Sequence, residues 1–202
     1  KALNKPILLV AGHYNNWEWL ITAQALWFKQ PCFGIGMPLS HPFWNQKLTE
    51  RRERFGLKVV HAQNYQEAFE AKNPIVLVLA DQAPSSPTEC LWIAFLHQNT
   101  PVIFGPEYIA NKFDCCVVFA DIKHSKRGYY NINIEVLVKD SKTLHYQELT
   151  RMHVQKLEQQ IKDNPTRWLW SHKRWKHQQP ANWQNQLQML KSRFEEKFRR
   201  NA

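Results

Sequence analysis

Short apolar runs alternate along this chain with longer amphipathic stretches, and that alternation restricts the fold more than any other property of the sequence. Strand-like runs occur at Ile7–Ala11, Cys32–Gly36, Lys58–Val60, Ile75–Ala80, Leu91–Leu96, Cys115–Ile122 and Tyr130–Val138. Between them lie helix-like stretches at Asn16–Phe28, Pro42–Phe55, Tyr65–Lys72, Val102–Lys112 and Leu144–Asp163. Strands that alternate with helices predict an α/β sandwich with a mixed, largely parallel central sheet flanked by helices. The runs Cys115–Ile122 and Tyr130–Val138, joined through Gly128, read as an antiparallel hairpin on the sheet edge. Beyond Pro180, the residues Trp183, Leu187, Leu190, Phe194 and Phe198 recur at helical spacing among Lys191, Arg193, Lys197, Arg199 and Arg200. This predicts a C-terminal amphipathic helix over 181–202, appended to a domain over 1–178 and either packed on it or lying on anionic lipid.

Two hundred and two residues, 44% of them hydrophobic and nine of them Trp, can bury a sizeable core, which excludes a disordered chain. No apolar run approaches the ~20 residues needed to span a bilayer, and no signal-peptide pattern is present. The chain opens at Lys1 almost directly into a strand, which reads as a fragment or a processed product. Its cysteines, Cys32, Cys90, Cys115 and Cys116, form no C-x-x-C pair, the usage of buried thiols in a reducing compartment rather than of disulfides or a metal site. No cofactor is implied. A net charge of +10 favours acidic partners without choosing among nucleic acid, an anionic membrane face, a phosphorylated lipid or an acidic carrier protein.

Chemistry concentrates in Gly12-His13-Tyr14-Asn15-Asn16-Trp17-Glu18-Trp19, directly after the first strand-like run. A histidine at the mouth of a strand, supported by a carboxylate, is suited to deprotonating a hydroxyl. Positions five apart do not share a helix face, so His13 and Glu18 can meet only if the chain turns between them, with Asn15 or Asn16 as the N-cap. Asp81 follows the run Ile75–Ala80, and polar groups at equivalent strand ends can converge on one cleft. The plainer reading of Asp81 is a turn residue, and that of Arg52 and Arg54 is a favourable helix C-terminus.

The run GHYNNWEW resembles the histidine-x4-acid motif of glycerolipid-type acyltransferases, and most of all the lipid A biosynthesis (lauroyl/myristoyl) acyltransferases. The resemblance continues in order through Arg51-Arg52-Glu53-Arg54-Phe55-Gly56, Ala80-Asp81-Gln82, Phe95-Leu96, Thr100-Pro101 and the stretch Trp168 to Lys176. It implies the glycerolipid acyltransferase fold. It also implies an O-acyltransferase moving a fatty acyl group from an acyl thioester, such as acyl carrier protein, to a hydroxyl of a lipid A precursor. His13 would be the general base and Glu18 its orienting acid. Arg52 or Arg54 would bind phosphate or brace the acids, and Asp81, Asn16 and Arg174 would serve the substrate side. Trp17, Trp19 and the region of Phe104 would line an acyl groove, and Asn45 the acceptor entrance. The expected place is the cytoplasmic face of a bacterial inner membrane, with an anionic membrane surface as partner and no nucleic acid.

Two departures from the family pattern matter. The place where phosphate-binding glycerolipid enzymes carry a Glu-Gly-Thr-Arg loop reads Asp81-Gln82-Ala83-Pro84, which favours the lipid A branch. His97 stands where relatives more often have a smaller residue. The alternatives are an acyltransferase acting on an ornithine or amino-lipid or on a lysophospholipid, and a basic Trp-rich nucleic-acid-binding module.

Overall fold

A computed structural model describes residues 4–199, so Lys1 and Arg200, named above, lie outside the described residues. Its centre is a six-stranded sheet in the order β3-β2-β4-β1-β7-β8. The strands are β1 (Ile7–Ala11), β2 (Cys32–Gly36), β3 (Lys58–His61), β4 (Ile75–Leu79), β7 (Cys116–Lys126) and β8 (Tyr129–Val138). The first five in that order run parallel, and β8 closes the edge antiparallel to β7. The mixed, largely parallel sheet and its edge hairpin are therefore present. Successive side chains leave a strand on opposite faces. Accordingly Leu9 and Ala11 pack with Leu20 and Ile21 of helix α1 (Trp17–Trp27). Leu8 and Val10 pack on the other face, with Ile109 of α3 (Gly105–Lys112) and Leu149 of α4 (Glu148–Asp163). Burying each of these leucines contributes roughly 2 kcal/mol.

Two stretches differ from their sequence reading. The helix expected from Val102 begins at Gly105, because Gln98–Val102 forms β6, the partner of β5 (Leu91–Phe95) in a separate two-stranded sheet. Gln98-Asn99-Thr100-Pro101 has no alternating pattern, and Pro101 is tolerated because β6 pairs on one side only. The stretch expected as a helix over Tyr65–Lys72 is a 3-10 segment, Ala62–Phe69, broken at Asn64. Helix α2 (Pro42–Glu53) has no buried residue and lies on the outside of the molecule.

The C-terminal helix α5 (Trp183–Phe198) turns its apolar side to protein. Trp183 packs with Cys90 and Trp92 beside the β5–β6 sheet, and Phe194 packs against Phe104 and Tyr146. The start of α4 is held from a distance. Glu107 of α3, itself buried, accepts hydrogen bonds from the backbone of Gln147 and Thr150 and from the Thr150 hydroxyl. Burial pushes the Glu107 carboxyl above its usual range despite those bonds.

The β5–β6 turn places Leu96 and His97 at φ 49° and 62°, the left-handed conformation that two-residue hairpin turns require and that side chains other than glycine disfavour. His97 is exposed there. Replacing it with glycine (His97→Gly) is expected to stabilise the fold by about 1 kcal/mol, read as a higher urea midpoint with an unchanged m-value.

His153 of α4 is wholly buried, and its Nε2 has no hydrogen-bond partner. Burial pushes its pKa down from 6.5 to about 4, against a smaller upward pull from the Asp81 charge. Because the folded value lies below the unfolded one, the neutral form's stability is complete above about pH 6.5 and is lost as pH falls towards 4. The loss is on the order of 3 kcal/mol. Thermal melts across pH 4–8 should show a smaller decline for His153→Leu than for the parent chain.

Candidate active site

The register of β1 against β4 builds the centre of the site. Ala11 pairs with Leu79, and the next backbone bond runs from Ala80 N–H to the Ala11 carbonyl. His13 and Asp81 therefore each lie two residues beyond paired strand ends, side by side at the carboxyl edge of the sheet. The Asp81 carboxylate accepts from the His13 backbone N–H at 2.9 Å (Oδ2), from His13 Nδ1 at 2.6 Å (Oδ1) and from Trp168 Nε1 at 2.8 Å (Oδ2). Burial alone would raise this carboxyl, which is 4% exposed. The hydrogen bonds from His13 and Trp168 and the His13 charge outweigh that and hold it below its ordinary value. An ionised carboxylate only accepts, so the Nδ1 proton of His13 is fixed on the Asp81 side and Nε2 carries the free lone pair.

Gly12 makes the close approach possible. A Cβ there would stand 2.6 Å from Leu157 Cδ1 of α4 and 3.4 Å from the Asp81 carboxyl. The His13 loop is also tied to the C-terminal stretch. Leu169 N–H donates to the His13 carbonyl, Asn15 N–H donates to the Arg167 carbonyl, and Asn15 itself takes a φ of 54°. The ring of Trp17 meets the His13 imidazole edge-on at 5.3 Å.

The expected meeting of His13 and Glu18 does not occur. Glu18 lies in the first turn of α1, and both its oxygens are taken by Arg52 of α2, at 3.1 Å from Nε and 2.5 Å from Nη2. The imidazole's partner comes instead from the neighbouring strand, whose register delivers it without a turn of helix between. Asn16 sits at the N-cap position of α1, but its side chain makes no capping bond.

A cavity of about 680 Å³ opens beside His13, a size typical of ligand pockets. Apolar groups from β2, β4 and α2, among them Ile35, Leu77, Leu79 and Leu48, form much of its wall. Its polar lining includes Arg52, Gln82, His172 and Lys176, with Gln82 beside His13. Of Arg51, Arg52 and Arg54, Arg52 is the one on the cavity wall, while Arg51 and Arg54 are exposed and Arg54 lies over the Phe55 ring. Trp17 and Trp19 do not line the cavity, and the region of Phe104 reaches it through Ile103; Trp19 packs on Tyr130 and Phe104 itself on Tyr146. Asn45 holds the entrance indirectly, its Oδ1 accepting from Leu39 N–H at 2.9 Å.

Sequence reasoning did not single out Gln82, His172 and Lys176. Their signal was position: Gln82 follows Asp81, and the other two flank Arg174 in the aromatic-basic stretch. Gln82 Nε2 lies 3.4 Å from His13 Nε2. His172 Nε2 accepts from the Ala83 N–H at 2.9 Å, and burial followed by the Arg174 charge pushes its pKa down, which keeps it neutral. Arg174 is 3% exposed, its Nε and Nη1 lack partners, and burial lowers it to about 10. It is not part of the cavity lining and lies over the Phe95 ring. Among the described residues, no group of three or more His, Cys, Asp or Glu side chains could hold a metal ion.

A neutral asparagine in place of the carboxylate (Asp81→Asn) should release the imidazole's tautomer. Nitrogen NMR of His13 is expected to move from an Nδ1–H form to a mixture; an unchanged spectrum would remove Asp81 as the group that sets it.

A search of curated proteins returned no significant match. The model of the bacterial lipid A biosynthesis acyltransferase family, in contrast, matches residues 1–177, a span that contains the His13–Asp81 pair, the Glu18–Arg52 pair and the whole cavity. The chain belongs to the bacterial lipid A biosynthesis acyltransferases and is an acyl-transferring enzyme.

Proposed function

We propose that this enzyme transfers a fatty acyl group from an acyl thioester, carried on acyl carrier protein, to a hydroxyl of a lipid A precursor at an anionic membrane surface. The observation that carries the reading is the His13–Asp81 pair at the head of a largely apolar cavity. Nε2 of His13, its tautomer set by Asp81, takes the proton from the acceptor hydroxyl. The oxygen attacks the thioester carbon, and the carbonyl becomes an oxyanion. Collapse breaks the carbon–sulfur bond, and the imidazolium returns its proton to the departing thiolate. Among the described residues no serine or cysteine hydrogen-bonds to Nε2, whose neighbour is the Gln82 amide, so transfer is direct, without an acyl-enzyme.

The oxyanion needs donors that do not move during the reaction. The Gln82 amide beside Nε2 is one candidate. Arg52 is another: Glu18 occupies two of its five N–H groups and fixes the plane of the guanidinium, leaving three for a carbonyl or a phosphate. Glu18 is thus a positioning residue, acting through Arg52. The apolar part of the cavity holds the acyl chain and aligns its carbonyl with the acceptor.

His13→Ala should reduce transfer from acyl carrier protein to a lipid A precursor by at least 10³-fold without changing the fold. Glu18→Gln, which keeps shape but removes the charge that holds Arg52, should cost roughly 10-fold to 10²-fold. Transfer by the parent chain to a lysophospholipid but to no lipid A precursor would overturn the substrate assignment. Retention of full activity in His13→Ala would overturn the mechanism.

A further inference from the structure

The cavity opens through a rim that the fold does not need. Met37 and Leu39 line the cavity yet are 67% and 46% exposed, and Phe43 and Trp44, in the first turn of α2, are 52% and 60% exposed. The two segments are joined by the Asn45 bond to Leu39, and the Phe43 and Trp44 rings meet edge-on at 5.1 Å. Positions 44, 48 and 52 share one face of α2, and Leu48 and Arg52 of that face line the cavity. Trp44 therefore continues the cavity's own surface outward. Since α2 buries none of its residues, these aromatic groups do not contribute to a core.

Resting on the acyl-transfer reading, we propose that the rim formed by Met37, Leu39, Phe43 and Trp44 inserts into the surface of an anionic bilayer, so that the transferred acyl chain passes from cavity to bilayer without crossing water. Charge supports this occupant. Arg51 and Arg54 stand exposed at the end of the same helix and form no ion pair among the described residues, on a chain of net charge +10. Aromatic and long apolar side chains beside arginines are the combination that seats at the boundary between head groups and hydrocarbon. Four protruding apolar side chains around an apolar opening suit hydrocarbon better than the charged surface of an acidic carrier protein. The other amphipathic helix, α5, has its apolar side occupied by protein.

The native cysteines leave this testable with single reporters. All four are buried, and burial raises Cys32 and Cys90 to about 11 and Cys115 to about 12, so a new surface thiol labels selectively. Polarity-sensitive fluorophores on Phe43→Cys, and on Gln155→Cys on the exposed side of α4, are mixed with phosphatidylglycerol-containing vesicles, phosphatidylcholine vesicles or acyl carrier protein. The expected result is a blue shift at position 43 alone, with the anionic vesicles. Vesicle co-sedimentation should weaken at least 10-fold in Phe43→Ser/Trp44→Ser, and should fall with salt in the parent chain. Equal shifts at both positions, no shift, a shift with carrier protein but not vesicles, or unchanged sedimentation of the double variant would each overturn the proposal. Acyl transfer to acceptor in detergent micelles separates the two readings. His13→Ala should lose it, whereas Phe43→Ser/Trp44→Ser should keep it while losing transfer to acceptor in vesicles.

Discussion

One buried carboxylate joins the parts of this molecule that have to act together. Asp81 comes from the end of β4, and its oxygens are filled by the His13 backbone, the His13 ring and the indole of Trp168. The first two groups lie just beyond β1, and the third belongs to the far end of the chain. Taking a carboxylate out of water is expensive unless donors replace the lost solvation, so each donor is needed for the charge to persist. Loss of any one would raise the Asp81 pKa and loosen the imidazole at the same time. The alignment of the base and the docking of the C-terminal stretch are thus one event.

Around this anion the protein arranges cations and near-neutral bases at increasing depth. His13 faces the cavity and His172 lies on its wall, whereas Arg174 and His153 are buried and line no part of it. Burial pushes the pKa of each of the last three down. Arg174 remains charged even so, and its field acts on Asp81 from inside the molecule. His153 and His172 remain neutral at ordinary pH and add no positive charge near the reacting atoms.

Sequence showed the sheet and the edge hairpin, which follow from local periodicity, and offered the convergence of His13 and Asp81 at strand ends beside a plainer turn reading of Asp81. It misassigned the partner of His13. Spacing along the chain favoured Glu18, whereas the deciding quantity was the register of β1 on β4, a pairing between residues more than sixty apart. The β6 strand was missed for a similar reason: Gln98-Asn99-Thr100-Pro101 acquires its conformation from β5. The carboxylate of Glu107 at the start of α4, and the engagement of Glu18 by Arg52, are long-range contacts with no local signature. The targets of Trp168 and Trp175, Asp81 and Thr100, became visible only in three dimensions.

The paired ends at Ala11 and Leu79 also limit how this enzyme can vary. Side chains alternate sides at every step along a strand. Adding or deleting a single residue between Ala11 and His13, or between Leu79 and Asp81, would therefore swing one member of the pair away from the other. Two short intervals of chain, distant in sequence, are locked to a common length.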